Sequence, residues 1–372
     1  MIKRIYVHNF RSLVNFEVEP SQLALLMGSN GAGKSSLLEV LDKVRRFVAD
    51  GERLEQVFPA MDFTRAQGMQ ADNEIRIELD IEGPAPEHLY QYKLAVQYNL
   101  GEGKQRVWHE TLHYQGKTLF ELVKGEAHLY RDDGTAGPVF PMDWTQSGVG
   151  FLMSGNDNKR LTWFKQRISR IWVVRINPFA MSAESRREID KPKIDMSDFA
   201  DWYRRLVQIS FDAVQQSTEQ LRDRLPGFRL LRLDAAGDAR VLRAEFCDKE
   251  LYHFSSLSEG QRALIALYSI VNGLADPQGA TLCIDEPENF LALPEIQPWL
   301  DHLQDFVEER QLQAFLISHH PRLVNFLASG YGYWLERDNG VGPTRCKRIG
   351  PSETDAPIKM DDLLERGWIN NS

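Results

Sequence analysis

Alternation of apolar and polar residues along the first third of the chain predicts β-strands. Residues 2–8 and 13–19 alternate with a period of two on either side of a turn at residues 9–12, which predicts a short hairpin. The same period recurs through residues 74–130, where glycine-containing turns separate the alternating segments. We therefore expect an antiparallel meander with one buried face.

Continuous apolar runs predict buried strands, and longer stretches with a period near 3.6 predict helices. The apolar runs are residues 23–27, 171–176, 281–284 and 313–317. The helical stretches are residues 37–48, 197–225, 259–274 and 294–309. Two further short strands are expected at 228–233 and 240–246. For the remaining segments, we expect irregular structure at 52–72 and a long loop or lid at 132–160. The tail at 330–372 has a mixed pattern, with a short helix expected near 360–366.

Composition places the chain among ordinary globular proteins. It has 372 residues, of which 42% are hydrophobic and 26% charged, enough for two or three lobes or one large α/β domain with insertions. The net charge of −9 excludes a uniformly basic nucleic-acid coat but allows a local basic groove. Three widely spaced cysteines argue against a thiolate zinc site and a disulfide framework. With no signal-peptide core and no membrane-length apolar run, we expect a cytoplasmic protein.

A glycine-rich loop lies between the apolar run at 23–27 and the helical stretch that follows. Its residues, Gly28-Ser29-Asn30-Gly31-Ala32-Gly33-Lys34-Ser35, match G-x-x-x-x-G-K-[ST]. The glycines let backbone N–H groups approach phosphates, and the helix N-terminus presents partial positive charge to the same anion. Lys34 would reach the β- and γ-phosphate oxygens, and the Ser35 hydroxyl would bind Mg²⁺. A chance glycine turn is the alternative, but the strand before and the helix after favour a nucleotide site.

A second apolar strand ends in carboxylates, in the sequence Thr281-Leu282-Cys283-Ile284-Asp285-Glu286. At the end of such a strand, Asp285 would support Mg²⁺, and Glu286 would orient or deprotonate an attacking water. A solvated acidic turn is the alternative reading of this segment. The presence of the phosphate loop elsewhere in the chain favours the catalytic interpretation.

Two further motifs flank the acidic strand in chain order. Ser258, in Leu257-Ser258-Glu259-Gly260-Gln261-Arg262, can cap the helix that follows and provide a second anion site, although an ordinary helix cap has the same pattern. The run at 313–317 leads into Ser318-His319-His320-Pro321. A histidine there is more often structural, and its place after the acidic strand is what makes His319 a candidate.

Together, in this order, these four elements resemble the ABC-type ATPases of the RecF/SMC/OLD-related group. The opening Ile-Tyr-Val-His-Asn-Phe-Arg-Ser-Leu resembles that group's first hairpin, and Asp-Glu-Pro-Glu-Asn resembles its acidic motif. The resemblance spans residues 2 to about 321. It implies an α/β P-loop NTPase fold, with an ABC-ATPase-like mixed sheet, an antiparallel β lobe and a helical signature lobe.

The resemblance also implies roles for individual residues. It implies a head-to-tail homodimer, or a higher homo-oligomer, that holds ATP and Mg²⁺ between subunits. The nucleotide-binding residues would be Asn30, Gly31, Ala32, Gly33, Lys34, Ser35 and Ser36, with Arg11 from the first turn and Ser258 and Gly260 from the other subunit. Ser35 and Asp285 would hold the metal. Lys34, Glu286 as base, and His319 as γ-phosphate sensor would form the catalytic set.

The sequence departs from the pattern of that group in two places. The strand that usually leads to a glutamine near the metal ends here in Val174-Arg175-Ile176-Asn177-Pro178, so this contact has no assigned residue. Phe290-Leu291-Ala292-Leu293-Pro294 also lacks the histidine and aspartate typical of this loop. We predict four segments along the chain: 1–176 and 257–345 as parts of the ATPase core, 177–256 as a helical lobe with a hairpin, and 346–372 as a tail.

Two functions fit a nucleotide-gated ATPase of this kind. One is a DNA-associated switch in repair or antiviral defence, with basic clusters at 43–46, 167–175, 186–193 and 204–205 as candidate contacts. The other is a regulatory scaffold that cages or positions a separate nuclease or toxin effector without binding DNA. The ATPase subunit of a membrane transporter is the least favoured, and we expect no membrane partner.

Overall fold

The structure, a computed structural model, describes residues 1–64, 74–99, 103–274, 279–337 and 340–349. Its contacts divide the chain into two compact units. The first unit comprises Met1–Ile171 together with the segment that begins at Pro321, and the second unit comprises Trp172–His320. The four-segment division expected from the sequence stays a prediction.

The strands are β1 (Ile2–His8), β2 (Phe16–Val18), β3 (Leu23–Met27), β4 (Glu74–Glu82), β5 (Leu89–Asn99), β6 (Lys104–Tyr114), β7 (Lys117–Val123), β8 (Glu126–Tyr130), β9 (Ala136–Pro141), β10 (Ile171–Val174), β11 (Glu184–Ser185), β12 (Phe228–Ala236), β13 (Ala239–Phe246), β14 (Leu251–His253), β15 (Thr281–Asp285), β16 (Gln313–Ile317), β17 (Gly332–Arg337) and β18 (Thr344–Arg348). The helices are α1 (Lys34–Val48), α2 (Leu54–Val57), α3 (Gly148–Phe151), α4 (Lys159–Ser169), α5 (Phe199–Ile209), α6 (Phe211–Arg224), α7 (Glu259–Asn272), α8 (Leu293–Arg310) and α9 (Pro321–Tyr331). A short 3-10 helix also spans Ala60–Asp62, and another spans Phe254–Ser256.

An antiparallel sheet dominates the first unit. Its eight strands lie in the order β2-β1-β4-β5-β6-β7-β8-β9, so the predicted meander and first hairpin are confirmed. The period of two is visible in β4, where Ile75, Ile77, Leu79 and Ile81 are all buried. The second strand of the hairpin is shorter than expected, because only Phe16–Val18 pair with β1.

The phosphate loop lies in the same unit, between β3 and α1. β3 pairs in parallel with β17, and β17 pairs antiparallel with β18, so the loop begins at the end of a buried strand. α1 turns an apolar face inward, with Leu37, Leu41 and Val44 buried. The predicted order of strand, glycine loop and helix is therefore confirmed.

The second unit brings together three short apolar strands, in the order β10-β15-β16. β15 and β16 are parallel and buried along their whole length, in agreement with their continuous apolar sequences. A separate antiparallel sheet has the order β11-β13-β12, with β14 also paired to β13. Helices α5 to α8 complete the unit.

Three expectations about secondary structure were wrong in detail. The loop expected at 132–160 contains β9 and α3; β9 forms an edge strand of the sheet, where glycine and proline are tolerated. The helical stretch at 197–225 is two helices, because Ser210, with φ of −147° and ψ of 84°, departs from helical geometry between α5 and α6. Part of the irregular segment forms α2 and a 3-10 helix. The short helix expected near 360–366 lies outside the described residues.

Within the described ranges, no helix combines the length and the apolar character needed to cross a membrane.

Candidate functional site

The glycines of the phosphate loop adopt backbone conformations that other residues rarely reach. Gly28, Gly31 and Gly33 have φ angles of +141°, +79° and +98°. A Cβ atom on Gly28 would lie 2.0 Å from the Leu335 carbonyl oxygen, and one on Gly33 would lie 2.6 Å from Thr344 Oγ1. Glycine is therefore required at these two positions by left-handed geometry and by close contacts, which are with main-chain atoms at Gly28 and with side-chain atoms at Gly33.

Lys34 begins helix α1 and keeps its ammonium group over the loop. Its side chain is buried, and Nζ donates hydrogen bonds to the carbonyl oxygens of Gly28 (2.8 Å) and Ser29 (2.9 Å). A phosphate oxygen is a stronger acceptor for an ammonium group than a neutral carbonyl. No acidic residue lies in the first turn of α1, so the positive end of the helix faces the loop uncompensated by side chains of that turn. Ser35 is exposed there, and Ser36 is half-buried.

Residues from the far end of the sequence hold the loop in place. Thr344 Oγ1 lies 2.9 Å from both the Ala32 carbonyl oxygen and Ser12 Oγ. Arg337 donates a longer hydrogen bond, of 3.4 Å, to the Gly31 carbonyl oxygen. The first turn and strand β18 therefore both contact the loop. Sequence reasoning missed Thr344, because nothing in its local pattern distinguishes it from any strand residue.

Arg11, expected to approach the nucleotide, lies in a cluster of carboxylates. Its guanidinium group donates to both Glu39 oxygens at 2.5 and 2.7 Å, and to Asp62 Oδ1 at 3.1 and 3.2 Å. Asp62 is fully buried, and its other oxygen lies 2.8 Å from Lys43 Nζ. The adjacent residue, Ser12, is the one that reaches the loop. A contact between Arg11 and nucleotide stays a prediction, as does one from Asn30, which is exposed in the loop.

In the second unit, the acidic residues lie where strand β15 ends. Asp285 is the last residue of the strand and is buried. Glu286 follows in a left-handed conformation, with φ of +53°, and its amide donates to the Ile317 carbonyl oxygen at 2.9 Å. A non-glycine residue in this conformation carries strain of roughly 1–3 kcal/mol, and such strain often marks a functional site. We refer to residues 285–290 as the acidic edge.

Three side chains surround the Glu286 carboxylate. Asn289 Nδ2 donates to Glu286 Oε2 at 2.8 Å, and Arg175 Nη2 lies 3.9 Å from the same oxygen. His319 Nε2 lies 4.0 Å from Glu286 Oε1. Two residues predicted for the catalytic set, Glu286 and His319, therefore lie close together, and their roles stay predictions. Sequence reasoning placed Arg175 only in a basic cluster that could contact DNA and did not connect it with Glu286, although its place directly after a buried strand was a usable signal.

Glu288 lies two residues further along the acidic edge and is buried. Its Oε1 accepts hydrogen bonds from Ser318 Oγ at 2.6 Å and from the His319 amide at 3.3 Å. Burial raises the pKa of the Glu288 carboxyl above its ordinary value, while the hydrogen bond from Ser318 acts in the opposite direction. No local pattern connects Glu288 with Ser318, because the two are 30 residues apart and follow different strands.

The helix that begins at Ser258, α7, is called the signature helix below. Ser258 Oγ accepts from the Gln261 amide at 3.2 Å, and Gln261 Oε1 accepts from the Ser258 amide at 3.0 Å, which forms a capping box. A Cβ on Gly260 would lie 2.9 Å from the Phe290 carbonyl oxygen. Arg262 also donates to the Pro178 carbonyl oxygen at 2.5 Å. The start of the signature helix therefore packs on the acidic edge within the second unit.

The predicted residues thus fall into two groups, each assembled within one unit. In the first unit, the loop residues meet the turn that carries Arg11. In the second unit, Asp285 and Glu286 lie at the end of strand β15, and His319 lies just beyond the end of the neighbouring strand β16. Gly260 lies against Phe290 of the acidic edge. Among the described residues, no group of three or more histidine, cysteine or acidic side chains would hold a metal ion by itself. Mg²⁺ is typically held by one or two protein ligands together with substrate phosphates, so the donors present fit Mg²⁺ bound with a nucleotide.

Comparison with known families agrees with this geometry. Residues 1–123, about a third of the chain, match the family model described as an AAA ATPase domain. The matched segment includes the first hairpin, the phosphate loop and most of the antiparallel sheet. No curated protein sequence matches the chain.

Solved structures with a similar fold are heads of SMC proteins. One is the Smc head bound to the C-terminal winged-helix domain of ScpA, with a TM-score of 0.58 and 13% identity over 98% of this chain and 99% of that one. Another is the Smc head domain with an extended coiled coil, bound to the C-terminal domain of ScpA and derived from Pyrococcus furiosus. Its TM-score is 0.54, with 10% identity over 100% of this chain and 99% of that one. At these identities, the comparison shows the fold: a mixed α/β P-loop NTPase resembling SMC heads.

Proposed function

We propose that this chain, which carries an ABC/SMC-like ATPase domain, binds ATP and hydrolyses it to ADP and phosphate. The observation that carries the proposal is the phosphate loop. Its glycines are confined by Leu335 and Thr344, and the buried ammonium group of Lys34 lies over carbonyl oxygens that a phosphate would replace as acceptors. The AAA ATPase match over residues 1–123 supports the same activity.

In this mechanism, the loop N–H groups and Lys34 bind the β- and γ-phosphates. Ser35 and Asp285 would hold Mg²⁺, which when bound neutralises charge on the phosphate oxygens. Glu286 orients a water molecule and accepts its proton as the water oxygen attacks the γ-phosphorus and ADP leaves. The contacts from Asn289 and Arg175 limit the orientations open to that carboxylate. His319, whose Nε2 lies 4.0 Å from Glu286 Oε1, would sense the γ-phosphate.

A second copy of the chain completes the proposed site. The exposed Ser258 hydroxyl and the N–H groups at Gly260 would bind the γ-phosphate held by the phosphate loop of the other subunit. ATP would then join two copies head to tail, and hydrolysis would remove the bridge and release them. This is a nucleotide-gated switch. The capping box supports the proposal because it fixes Ser258 at the exposed start of the signature helix.

The switch would control a separate process, and the ion pairs of the basic clusters support a regulatory scaffold over a DNA-binding role. Four arginines of the candidate basic clusters already pair with carboxylates of the same unit. These pairs are Arg186–Glu184, Arg187–Asp201, Arg204–Glu188 and Arg205–Asp190. Neighbouring carboxylates cancel much of the positive potential that would attract a phosphate backbone. A protein partner such as a nuclease or toxin effector therefore fits better, and the similar SMC heads are themselves bound to a protein.

Lys34→Ala and Glu286→Gln test the proposal together. We expect Lys34→Ala to abolish ATP binding. Glu286→Gln should retain binding, lower turnover by about 10²- to 10⁴-fold, and trap an ATP-bound dimer. ATPase rates, nucleotide affinity and sizing by light scattering measure these effects. Wild-type turnover in Glu286→Gln would refute the assignment of Glu286 as the base. A wild-type chain that neither binds nor hydrolyses ATP would refute the proposed function.

The same ATPase assay with added nucleic acid tests whether the chain acts as a scaffold or on DNA. We expect turnover to be unchanged by double-stranded DNA at low salt, and an effector to co-purify with the chain. Strong, salt-dependent stimulation by DNA would instead support the DNA-associated role.

A further inference from the structure

Glu288 is a buried carboxylate that the mechanism above leaves without a role. Both hydrogen bonds to Oε1 come from the segment that follows strand β16: one from Ser318 Oγ and one from the His319 amide. Ser318 Oγ also accepts from the His320 amide at 3.1 Å. Glu288 therefore holds a turn of three consecutive residues through a single oxygen atom.

Stability alone does not account for a carboxylate at this position. Burying an ionisable group is costly unless each oxygen finds donors, and within the part of the chain that the structure describes Glu288 Oε2 has no hydrogen-bond partner. An apolar residue of similar volume would avoid that cost. The feature that an apolar residue could not supply is the pair of hydrogen bonds that fixes the turn.

We propose that Glu288 is a positioning residue, which fixes the Ser318–His320 turn so that the His319 imidazole faces Glu286. The turn carries the His319 imidazole, whose Nε2 lies 4.0 Å from Glu286 Oε1. Losing the hydrogen bonds to Ser318 and His319 would let the His319 backbone, and with it the ring, move away from the acidic edge. The catalytic part of this inference rests on the proposed function, whereas the positional part does not.

Kinetic variants test the catalytic part. In Glu288→Ala, we expect kcat to fall by about 10- to 100-fold, with ATP affinity changed by less than about twofold, because a small misplacement of one group is sufficient for such a loss. Glu288→Gln keeps an acceptor oxygen of the same shape and should retain kcat within about threefold. When His319 is already alanine, Glu288→Ala should have no further effect, because the two residues act as a unit. Wild-type kcat in Glu288→Ala, or additive losses in the double variant, would overturn the proposal.

Hydrogen exchange tests the positional part without nucleotide. In the full-length chain, amides of the peptide around residues 318–320 should exchange faster in Glu288→Ala and at the wild-type rate in Glu288→Gln. Glu295→Ala is the matched control, since Glu295 accepts from the Ala292 amide at 2.7 Å, outside this turn. Unchanged exchange in Glu288→Ala would overturn the proposal. A wild-type chain without ATPase activity would instead refute the proposed function, and the exchange rates would still decide the role of Glu288.

Discussion

The phosphate loop and the acidic edge are held in place by different kinds of atoms. In the loop, the contacts are made to main-chain atoms, because Gly28 has a neighbouring carbonyl where a Cβ would lie and the side chains of Lys34 and Thr344 bond to loop carbonyl oxygens. At the acidic edge, the contacts are made to a side chain, because Glu286 contacts Asn289, Arg175 and His319 through its carboxylate. The loop is thus sensitive to added atoms, and the edge to changed functional groups.

A methyl group added to the loop should give the largest effect. Gly28→Ala places Cβ 2.0 Å from the Leu335 carbonyl oxygen, and we expect it to cost about 3 kcal/mol of stability and to lower ATP affinity more than 100-fold. Gly31→Ala is the matched control, because its Cβ would meet nothing within 4 Å. It should cost only the left-handed strain of about 1–2 kcal/mol. Thermal melting and nucleotide titration measure both, and equal losses in the two variants would contradict main-chain control of the loop.

A changed functional group at the acidic edge should give a moderate effect. In Arg175→Ala, the guanidinium group 3.9 Å from Glu286 is lost, and we expect kcat to fall about tenfold while melting temperature and ATP affinity hold. The Arg175 side chain is largely exposed, so its loss should hardly change stability. Arg187→Ala, which removes an exposed arginine paired with Asp201, is the control. Equal kcat in the two variants would show that Arg175 has no part in turnover.

The smallest effect, on the pH dependence of stability, should come from a buried carboxylate whose two oxygens both accept hydrogen bonds. Glu110 accepts from Tyr92 (2.8 Å), Ser147 (2.6 Å) and the Gly148 amide (2.6 Å), and burial raises the pKa of its carboxyl above its ordinary value. The folded chain therefore keeps a proton that the unfolded chain releases, and stability falls as pH rises from about 4.5 through the raised pKa. Glu110→Gln should remove this slope without changing kcat. If the melting temperature depends on pH in the same way in the wild-type protein and in Glu110→Gln, this expectation is wrong.

The parts of the molecule that follow a local pattern were predictable from sequence. The strand, glycine loop and helix of the phosphate site follow from contiguous residues, and so does the alternation of β4. Contacts between distant residues have no such local pattern. Thr344 meets Ala32 across 312 residues, and Ser318 meets Glu288 across 30, because tertiary packing brings their elements together. The edge strand β9 was missed since its glycine and prolines are typical of loops as well as of sheet edges.

The three cysteines differ in a way that suits chemical labelling. Cys247 is exposed and Cys283 is buried within β15, while burial raises the pKa of the Cys346 thiol to about 12. A maleimide reagent should therefore modify Cys247 first. Cys247 and Gln261 line one cavity of about 460 Å³, so a fluorophore attached there would sit beside the capping box of the signature helix. The natural sequence thus offers a spectroscopic reporter for that helix without any cysteine having to be removed.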